Sequence, residues 1–525
     1  MRRSWLGVLL LGCGACDDPA PARPNVLWVV WDTARADHMS LYGYPRPTTP
    51  FVDRWAKDAR VFDDCMSASC WTVPSHASMF TGLLPAEHGA MHGNEYLDDG
   101  LETVAETLQR AGYQTFAWAA NPHVSVEENF LQGFEVQQHP WDPQTLERAV
   151  EIFKRKVPES IATRELQSRQ EKRGSNPWVV KAAGELGREG FAGWLDQRDS
   201  ERPFLAFFNF MEAHRPLIPP RELREKLLSP EEVEATYARE FNWKDLWAYC
   251  FGWHEYSPED LKLLRDTYDA ALLELDALFA GLIAELEARG LSENTLVILT
   301  ADHGENLGDL HLLDHQYSLN QALIRVPLAI RYPPRFAPGR ESRPVMTMDL
   351  HPTLLELAGV TPPKLGVQHA RSLFAPSERR VRVADYSQPF PGPLASARGK
   401  FPDRDIARFE RGLMTIVDGR WKLVRELGGP AHLYDLSAPG DETRDVAGEH
   451  PEVLERMRAG MGHLLKSLTP IGVRSNAKTT SEQHQRMLEL LGYAGGDEQA
   501  DGSAPDGEQR TRDTAREDGA TRERP

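Results

Sequence analysis

Three long apolar runs, each followed at once by residues able to do chemistry, restrict this chain to a narrow set of folds. Residues 25–31 read Asn-Val-Leu-Trp-Val-Val-Trp, and Asp32 follows them. Residues 203–210 read Pro-Phe-Leu-Ala-Phe-Phe-Asn-Phe and lead into Met211-Glu-Ala-His214. Residues 294–300 read Asn-Thr-Leu-Val-Ile-Leu-Thr and lead into Ala301-Asp302-His303-Gly304-Glu305. Continuous apolar runs of this length read as strands buried on both faces, as in a parallel sheet. In open α/β sheets ligands gather beyond the C-terminal ends of the strands, where Asp32, His214, Asp302 and His303 stand. An adjacent Asp and His suit a divalent cation that accepts carboxylate oxygen and imidazole nitrogen, and Gly304 lets the backbone approach it.

Helical patterns separate the runs. Residues 257–289 keep one apolar stripe behind a Ser257-Pro-Glu-Asp cap and stop at Gly290. Residues 49–62 read as an amphipathic helix with Phe51, Trp55 and Ala59 on one face, and 101–111 as another, before a strand at 112–118. Residues 220–256 read as helical, with Trp243, Trp247 and Trp253 at a pocket mouth or, for at least two of them, in local packing. The charge-rich stretch at about 141–200 reads as an insertion over the site or on the surface, with solvated Lys and Arg. A strand is expected at 326–331 and a helix from 348. From about residue 381 short β segments appear at 381–385, 413–417, 421–425 and 432–435, then a helix at 451–468. Asp418-Gly419 is the hairpin turn between two of these segments.

The chain is long enough, at 525 residues, for a large core and more than one domain. A formal charge of −18 argues against nucleic acid as a partner. Arg2 and Arg3 precede an apolar run at 5–11, too short to span a bilayer, that ends Leu10-Leu11-Gly12-Cys13-Gly14-Ala15-Cys16. Small residues before a cysteine resemble a bacterial lipoprotein signal. Cys13, with Leu10 three residues ahead, is the favoured lipidation site over Cys16. A plain secretory signal is the alternative, and both imply export. Cys65, Cys70 and Cys250 remain; a Cys65–Cys70 pair is open on spacing alone. The tail from about residue 495 lacks the apolar residues to build a core and is expected to be disordered.

Ser69-Cys-Trp-Thr72-Val-Pro74-Ser75-His76-Ala-Ser-Met-Phe-Thr81-Gly82 reads as a loop turning into a helix at Pro74. Thr72 then lies just before the N-terminus, where free N–H groups favour an anion. This stretch resembles the nucleophile segment of the sulfatase family, within the alkaline phosphatase superfamily. Pro74, Ser75, Thr81 and Gly82 match; Thr72 stands at the formylglycine position and His76 at the following arginine. Trp31-Asp-Thr-Ala-Arg-Ala-Asp-His38 resembles the family's opening, whose Asp, here Asp32, binds the metal. Where the family has a sulfate-holding Lys and His after a Gly-Tyr-x-Thr strand, this chain has Asn121-Pro-His123, so Asn121 or His123 stands in. His214-Arg-Pro216 resembles a His-x-Pro shared with phosphonate monoester hydrolases, and that His contacts the ester. Asp302-His303 corresponds to the pair that completes the metal site. His315 replaces a lysine that touches the ester oxygen and is read as a general acid or oxyanion donor. His311 falls where another family histidine is common. The resemblance covers about 25–468.

It implies an alkaline phosphatase-like α/β fold: a mixed, mostly parallel sheet flanked by helices, with a small C-terminal antiparallel α+β subdomain. The expected organisation is a signal at 1–16, a linker at 17–24, a catalytic domain at 25–375, the subdomain at 376–470 and a tail at 471–525. It implies a metal-dependent hydrolase of sulfate esters, or related phosphate esters, with Thr72, His214, His315 and His76 catalytic. Asp32, Thr72, Asp302 and His303 would hold calcium, manganese or magnesium; His311 and Asn121 would bind substrate. The imidazole tilts the metal toward manganese or zinc. Threonine cannot become formylglycine, and relatives with threonine there act on phosphate esters or transfer phospho-groups. A phosphodiesterase or phospho-transferase is therefore the alternative within the superfamily, and an inactive surface binding protein the alternative outside it. The substrate would be a small-molecule or a glycan- or lipid-linked ester, met by an enzyme lipid-anchored at a bacterial cell envelope.

Overall fold

Strands that are apolar on both faces need helices above and below them, and the chain supplies these around one eight-stranded sheet. The architecture is that of a computed structural model describing residues 23–172, 181, 183–239, 241, 243–360, 369–375, 381–437, 441–471 and 488. In chain order the sheet strands are β1 (Asn25–Trp31), β2 (Arg60–Phe62), β3 (Gln114–Ala119) and β4 (Val136–Gln138). Then follow β5 (Phe204–Phe210), β6 (Thr295–Thr300), β7 (Leu328–Arg331) and β8 (Gly339–Glu341). They lie in the order β8-β2-β7-β6-β1-β5-β3-β4. Strands β6, β1, β5, β3 and β4 run parallel, and β7 is antiparallel to both its neighbours. β1, β5 and β6 are buried along their whole length.

A second, four-stranded antiparallel sheet follows: β9 (Val381–Tyr386), β10 (Leu413–Asp418), β11 (Trp421–Glu426) and β12 (Ala431–Asp435). Gly419, at φ 59°, turns β10 into β11, and the helix Pro451–Ser467 contacts both strands. The mixed, mostly parallel sheet and the small antiparallel one are the architecture expected from the sequence.

The helix Pro258–Ala288 runs 31 residues, with Ser257 accepting the Asp260 N–H as its cap. It does more than cover the sheet. Asp276 accepts the backbone N–H groups of Phe51 and Val52 at 2.8 Å each, capping a neighbouring helix whose own Thr49 makes no side-chain cap bond.

Several local expectations fail where pairing overrides pattern. The helix expected at 49–62 stops at Trp55; after a 3-10 turn, Arg60–Phe62 becomes β2 because the sheet offers it β7 and β8 as partners. Residues 220–256 form three short helices, Arg221–Arg224, Pro230–Ala238 and Trp243–Cys250. Trp247 packs on Tyr317 and Phe390, Trp253 on Phe401. Pro327 splits the strand expected at 326–331, so Arg325–Val326 pairs with Cys65–Met66 and only Leu328–Arg331 joins the main sheet. The insertion holds helices Leu146–Lys156, Glu159–Lys172 and Gly184–Gln197, but its cations are not all solvated: Lys156 and Lys181 are buried. Cys65, Cys70 and Cys250 are buried, and no disulfide joins them. Cys13, Cys16 and the tail beyond residue 495 lie outside the described residues. Among the described residues no helix is long and apolar enough to cross a membrane.

Replacing Asp276 by Ala leaves two helix-terminal N–H groups without acceptors and should cost about 1–3 kcal/mol of unfolding free energy, read by denaturant titration. Replacing the exposed Lys262 by Ala should cost under about 1 kcal/mol.

Candidate active site

Four adjacent parallel strands, β6, β1, β5 and β3, end at one edge of the sheet, and each delivers side chains to one buried cluster. Asp32 follows β1 and anchors its own N–H on Phe210 O at 2.8 Å. Its Oδ2 accepts Asn121 Nδ2 at 2.8 Å, beyond β3, and Asn209 Nδ2 at 3.2 Å, from β5. Asp302, beyond β6, accepts the N–H of His303 at 2.8 Å and of Thr33 at 3.2 Å on Oδ1. Asp32 Oδ1 and Asp302 Oδ2 are buried and accept no hydrogen bond. His303 Nδ1–H donates to Gly304 O at 2.9 Å, which leaves the Nε2 lone pair free for a ligand. One donor atom from each of Asp32, Asp302 and His303 lies within 4.8 Å of the others.

Without a cation this arrangement is electrostatically costly. Desolvation, then the charge of Asp302, pushes Asp32 up to about 6. Desolvation pushes Asp302 up to about 7 against the two backbone N–H bonds. Burial lowers His303 to about 3, so it is a neutral imidazole, the form that binds metal. Two orphaned carboxylate oxygens and an imidazole nitrogen therefore fit a divalent cation, and oxygen-rich sites favour calcium, magnesium or manganese.

Thr72 sits beside this cluster. Its Oγ1 lies 3.4 Å from His303 Nε2 and accepts Asn121 Nδ2 at 3.2 Å. Of the two candidates after β3, Asn121 is thus the one that reaches Thr72; His123 is turned onto Glu128, 2.7 Å away. The helix starts earlier than Pro74: it spans Thr72–Thr81, behind an extended Trp71, so Thr72 is its first residue rather than the one before it. Proline is tolerated in the first turn, where an N–H has no helical acceptor, so the start could slide to Thr72. Ser75 lies in the first turn of this helix, where its Oγ donates to Ser69 O at 3.3 Å.

His76 lies behind Thr72 rather than against its hydroxyl. Its Nδ1–H donates to Thr72 O at 3.0 Å and sits 3.5 Å from Asp302 Oδ2, with the ring edge-on to Phe80 and Phe207. Burial lowers it to about 3, so it adds no charge. It holds the backbone of Thr72 toward Asp302.

His315 and His214 extend the cluster. The rings of His303 and His315 are 4.6 Å apart, and those of His315 and His214 5.2 Å. His214 Nδ1–H donates to Arg215 O at 2.6 Å. His315 Nδ1 is 2.7 Å from Asp314 Oδ1 and 3.7 Å from Glu305 Oε2; Arg215 spans the same carboxylates at 3.0 and 3.7 Å. Burial opposes a charge on His315, but Asp314 and Glu305 outweigh it and push the group up to about 10. His311 is not with them. Positive φ at Leu310 (52°) and His311 (59°) swings it outward, where it stacks on Tyr249 at 4.1 Å and approaches Glu255 at 3.8 Å.

Sequence reading passed over Thr33, Asn209, Glu305, Asp314 and Arg215. Asn209 had a signal, a lone amide inside an apolar strand, and Asp314-His315 repeats the Asp302-His303 dipeptide. Thr33 had none. It adopts φ 60°, costly for a β-branched residue, and Tyr268 of the long helix holds the turn by donating to Thr33 O at 2.7 Å.

Asp32 and Asp302 bind protons more tightly folded than unfolded. The cation-free protein should therefore lose stability as pH rises from about 4 through 6 and 7, and a divalent cation should abolish that loss. Melting curves across pH, with chelator and with metal, check both signs. A Cβ at Gly304 would lie 1.9 Å from Ala322 O, so Gly304→Ala should displace His303 and lower turnover by about 100-fold.

The chain as a whole is similar to known proteins. An N-acetylglucosamine-6-O-sulfatase of Bacteroides thetaiotaomicron is 24% identical over 430 residues, covering 68% of this chain and 72% of that protein. Arylsulfatase K of Xenopus laevis is 24% identical over 465 residues, covering 84% of this chain and 82% of its own. The solved phosphonate monoester hydrolase from Silicibacter pomeroyi superposes with a TM-score of 0.65 at 21% identity, over 88% of this chain and 99% of that one. The family model described as Sulfatase matches residues 24–360, well over half of the 525, and the chain belongs to the sulfatase family of hydrolases.

Proposed function

We propose that this enzyme hydrolyses sulfate esters or related phosphate esters, with Thr72 Oγ1 as nucleophile and Asp32, Asp302 and His303 holding a divalent cation. The observation that carries this reading is the position of Thr72 Oγ1, 3.2 Å from Asn121 Nδ2 and 3.4 Å from His303 Nε2. A cation bound there supplies Lewis-acid polarisation of the ester and lowers the pKa of the hydroxyl.

The chain's own groups account for the rest. Asn121 donates into Oγ1 and stabilises the oxygen as its proton leaves. Oγ1 bonds to sulfur or phosphorus, the bond to the ester oxygen breaks, and the alcohol departs with the proton Thr72 gave up. His315, held as an imidazolium, keeps its own proton and offers a hydrogen bond to that oxygen, steadying the charge it develops. The resulting threonine ester has no route to an aldehyde, so water must attack it, restoring the Thr72 hydroxyl and releasing sulfate or phosphate. His214, with Nδ1–H committed to Arg215 O and its ring 5.2 Å from that of His315, is kept a neutral imidazole by burial and contacts the ester oxygens.

Similarity to an N-acetylglucosamine-6-O-sulfatase supports a small-molecule or glycan-linked ester, and similarity to a phosphonate monoester hydrolase supports chemistry at phosphorus. Cys13, behind the apolar run at 5–11, supports an exported enzyme tethered by lipid to the cell envelope.

Aryl sulfate and aryl phosphate diester, assayed side by side across calcium, magnesium and manganese, separate the two chemistries. Thr72→Ala should lower turnover on the better substrate by about 1,000-fold or more, with Thr72→Ser retaining most of it. Undiminished turnover in Thr72→Ala removes the nucleophile; cation binding with no ester turned over makes the chain a binding protein instead.

A further inference from the structure

We infer that Lys181 is a positioning residue for His214, its amino group clamping the two carbonyls that bound the turn on which His214 is carried. Lys181 Nζ donates to Glu212 O at 3.1 Å and to Pro216 O at 2.7 Å. Between those carbonyls the backbone makes one turn, with His214 N–H on Met211 O at 3.0 Å and His214 Nδ1–H on Arg215 O at 2.6 Å. The carbonyl that sets the tautomer of His214 thus lies within the clamped segment.

The insertion grips the same turn a second time. Gly184 N–H donates to Glu212 Oε1 at 3.0 Å, and a Cβ at Gly184 would lie 2.5 Å from that oxygen and from Leu278 Cδ1. The approach is as close as a backbone allows, which is why glycine stands there. Lys181 is fully buried, and the charges acting on it are Glu212, the Lys156–Glu274 ion pair and Asp32. Burial lowers Lys181 to about 7, and a buried amino group, cut off from water, must find fixed acceptors for its N–H groups; here those are main-chain carbonyls. Removing it leaves two buried carbonyls without their donor and frees the turn. The insertion therefore completes the catalytic apparatus instead of merely overlying it.

This inference rests on the proposed ester hydrolysis, in which His214 has its role. The test is a double-mutant cycle of Lys181→Met and His214→Ala on the wild type's better ester substrate. Lys181→Met should lower kcat by about tenfold or more with KM within about twofold. In the His214→Ala background the same change should cost less than about twofold, because the group it positions is gone. Melting temperature and bound-cation stoichiometry close to wild type show that the variant is folded. Histidine nitrogen NMR on the folded variant should show the Nδ1–H of His214 released from its carbonyl. Equal losses in both backgrounds, an effect on KM alone, or an unaltered His214 signal would overturn the inference while leaving ester hydrolysis intact. If Lys181→Met does not fold, Lys181→Gln, which keeps an N–H donor without the charge, takes its place in the cycle; failure of both to fold makes Lys181 purely structural and overturns it too. A wild type inactive on every ester ends the parent reading, and this one with it.

Discussion

Two carboxylates, Asp32 and Asp302, are buried beside each other with an oxygen apiece that no hydrogen bond satisfies. Isolated buried anions are among the costliest groups a fold can hold. What relieves that cost is a proton, which both carboxylates bind more tightly than usual, or a cation. Asn121 and Asn209 fix one carboxylate, the N–H groups of Thr33 and His303 fix the other, and the neutral His303 adds a nitrogen. None of these groups brings a full positive charge. The site is thus left short of charge by design of its neighbours, and its chemistry follows from that deficit.

Two histidines that the sequence resemblance sets at basic positions of the family have surroundings that send them opposite ways. His76 is walled by Phe80 and Phe207, and desolvation leaves it neutral. His315 is equally buried, but Asp314 and Glu305 face it and it carries a proton firmly. His76 is a backbone support for Thr72, and His315 is a cation. Arg215 balances the second carboxylate, so the outer cluster is electrically closed while the inner one is open to a metal.

Precision at the site comes from elements far along the chain. The long helix Pro258–Ala288 reaches the loop after Asp32 through Tyr268, whose hydroxyl takes the Arg35 N–H at 2.8 Å and gives its proton to Thr33 O. That one hydroxyl stabilises a β-branched residue at positive φ next to a candidate metal ligand. The insertion reaches the His214 turn from the opposite direction through Lys181 and Gly184. Both supports act on backbone, which transmits small displacements directly to the side chains it carries.

The apolar runs before Asp32, His214 and Asp302 were enough to predict parallel strands and a site at their C-terminal ends, since burial on both faces leaves no polar alternation. The cap at Ser257 and the stop at Gly290 bounded the long helix to within a residue or two, because those signals are local. Sequence failed wherever a residue's state depends on partners distant in the chain. Arg60–Phe62 is a strand only because β7 and β8 flank it. His311 and His315, four residues apart, separate outward and inward through positive φ angles that no side-chain pattern announces. Lys181 reads as one more solvated cation until packing places two carbonyls around it. The family resemblance named the candidate ligands and the threonine; their distances, their protonation and the supports behind them belong to the tertiary structure, because electrostatic energy depends on separation and burial, which composition does not contain.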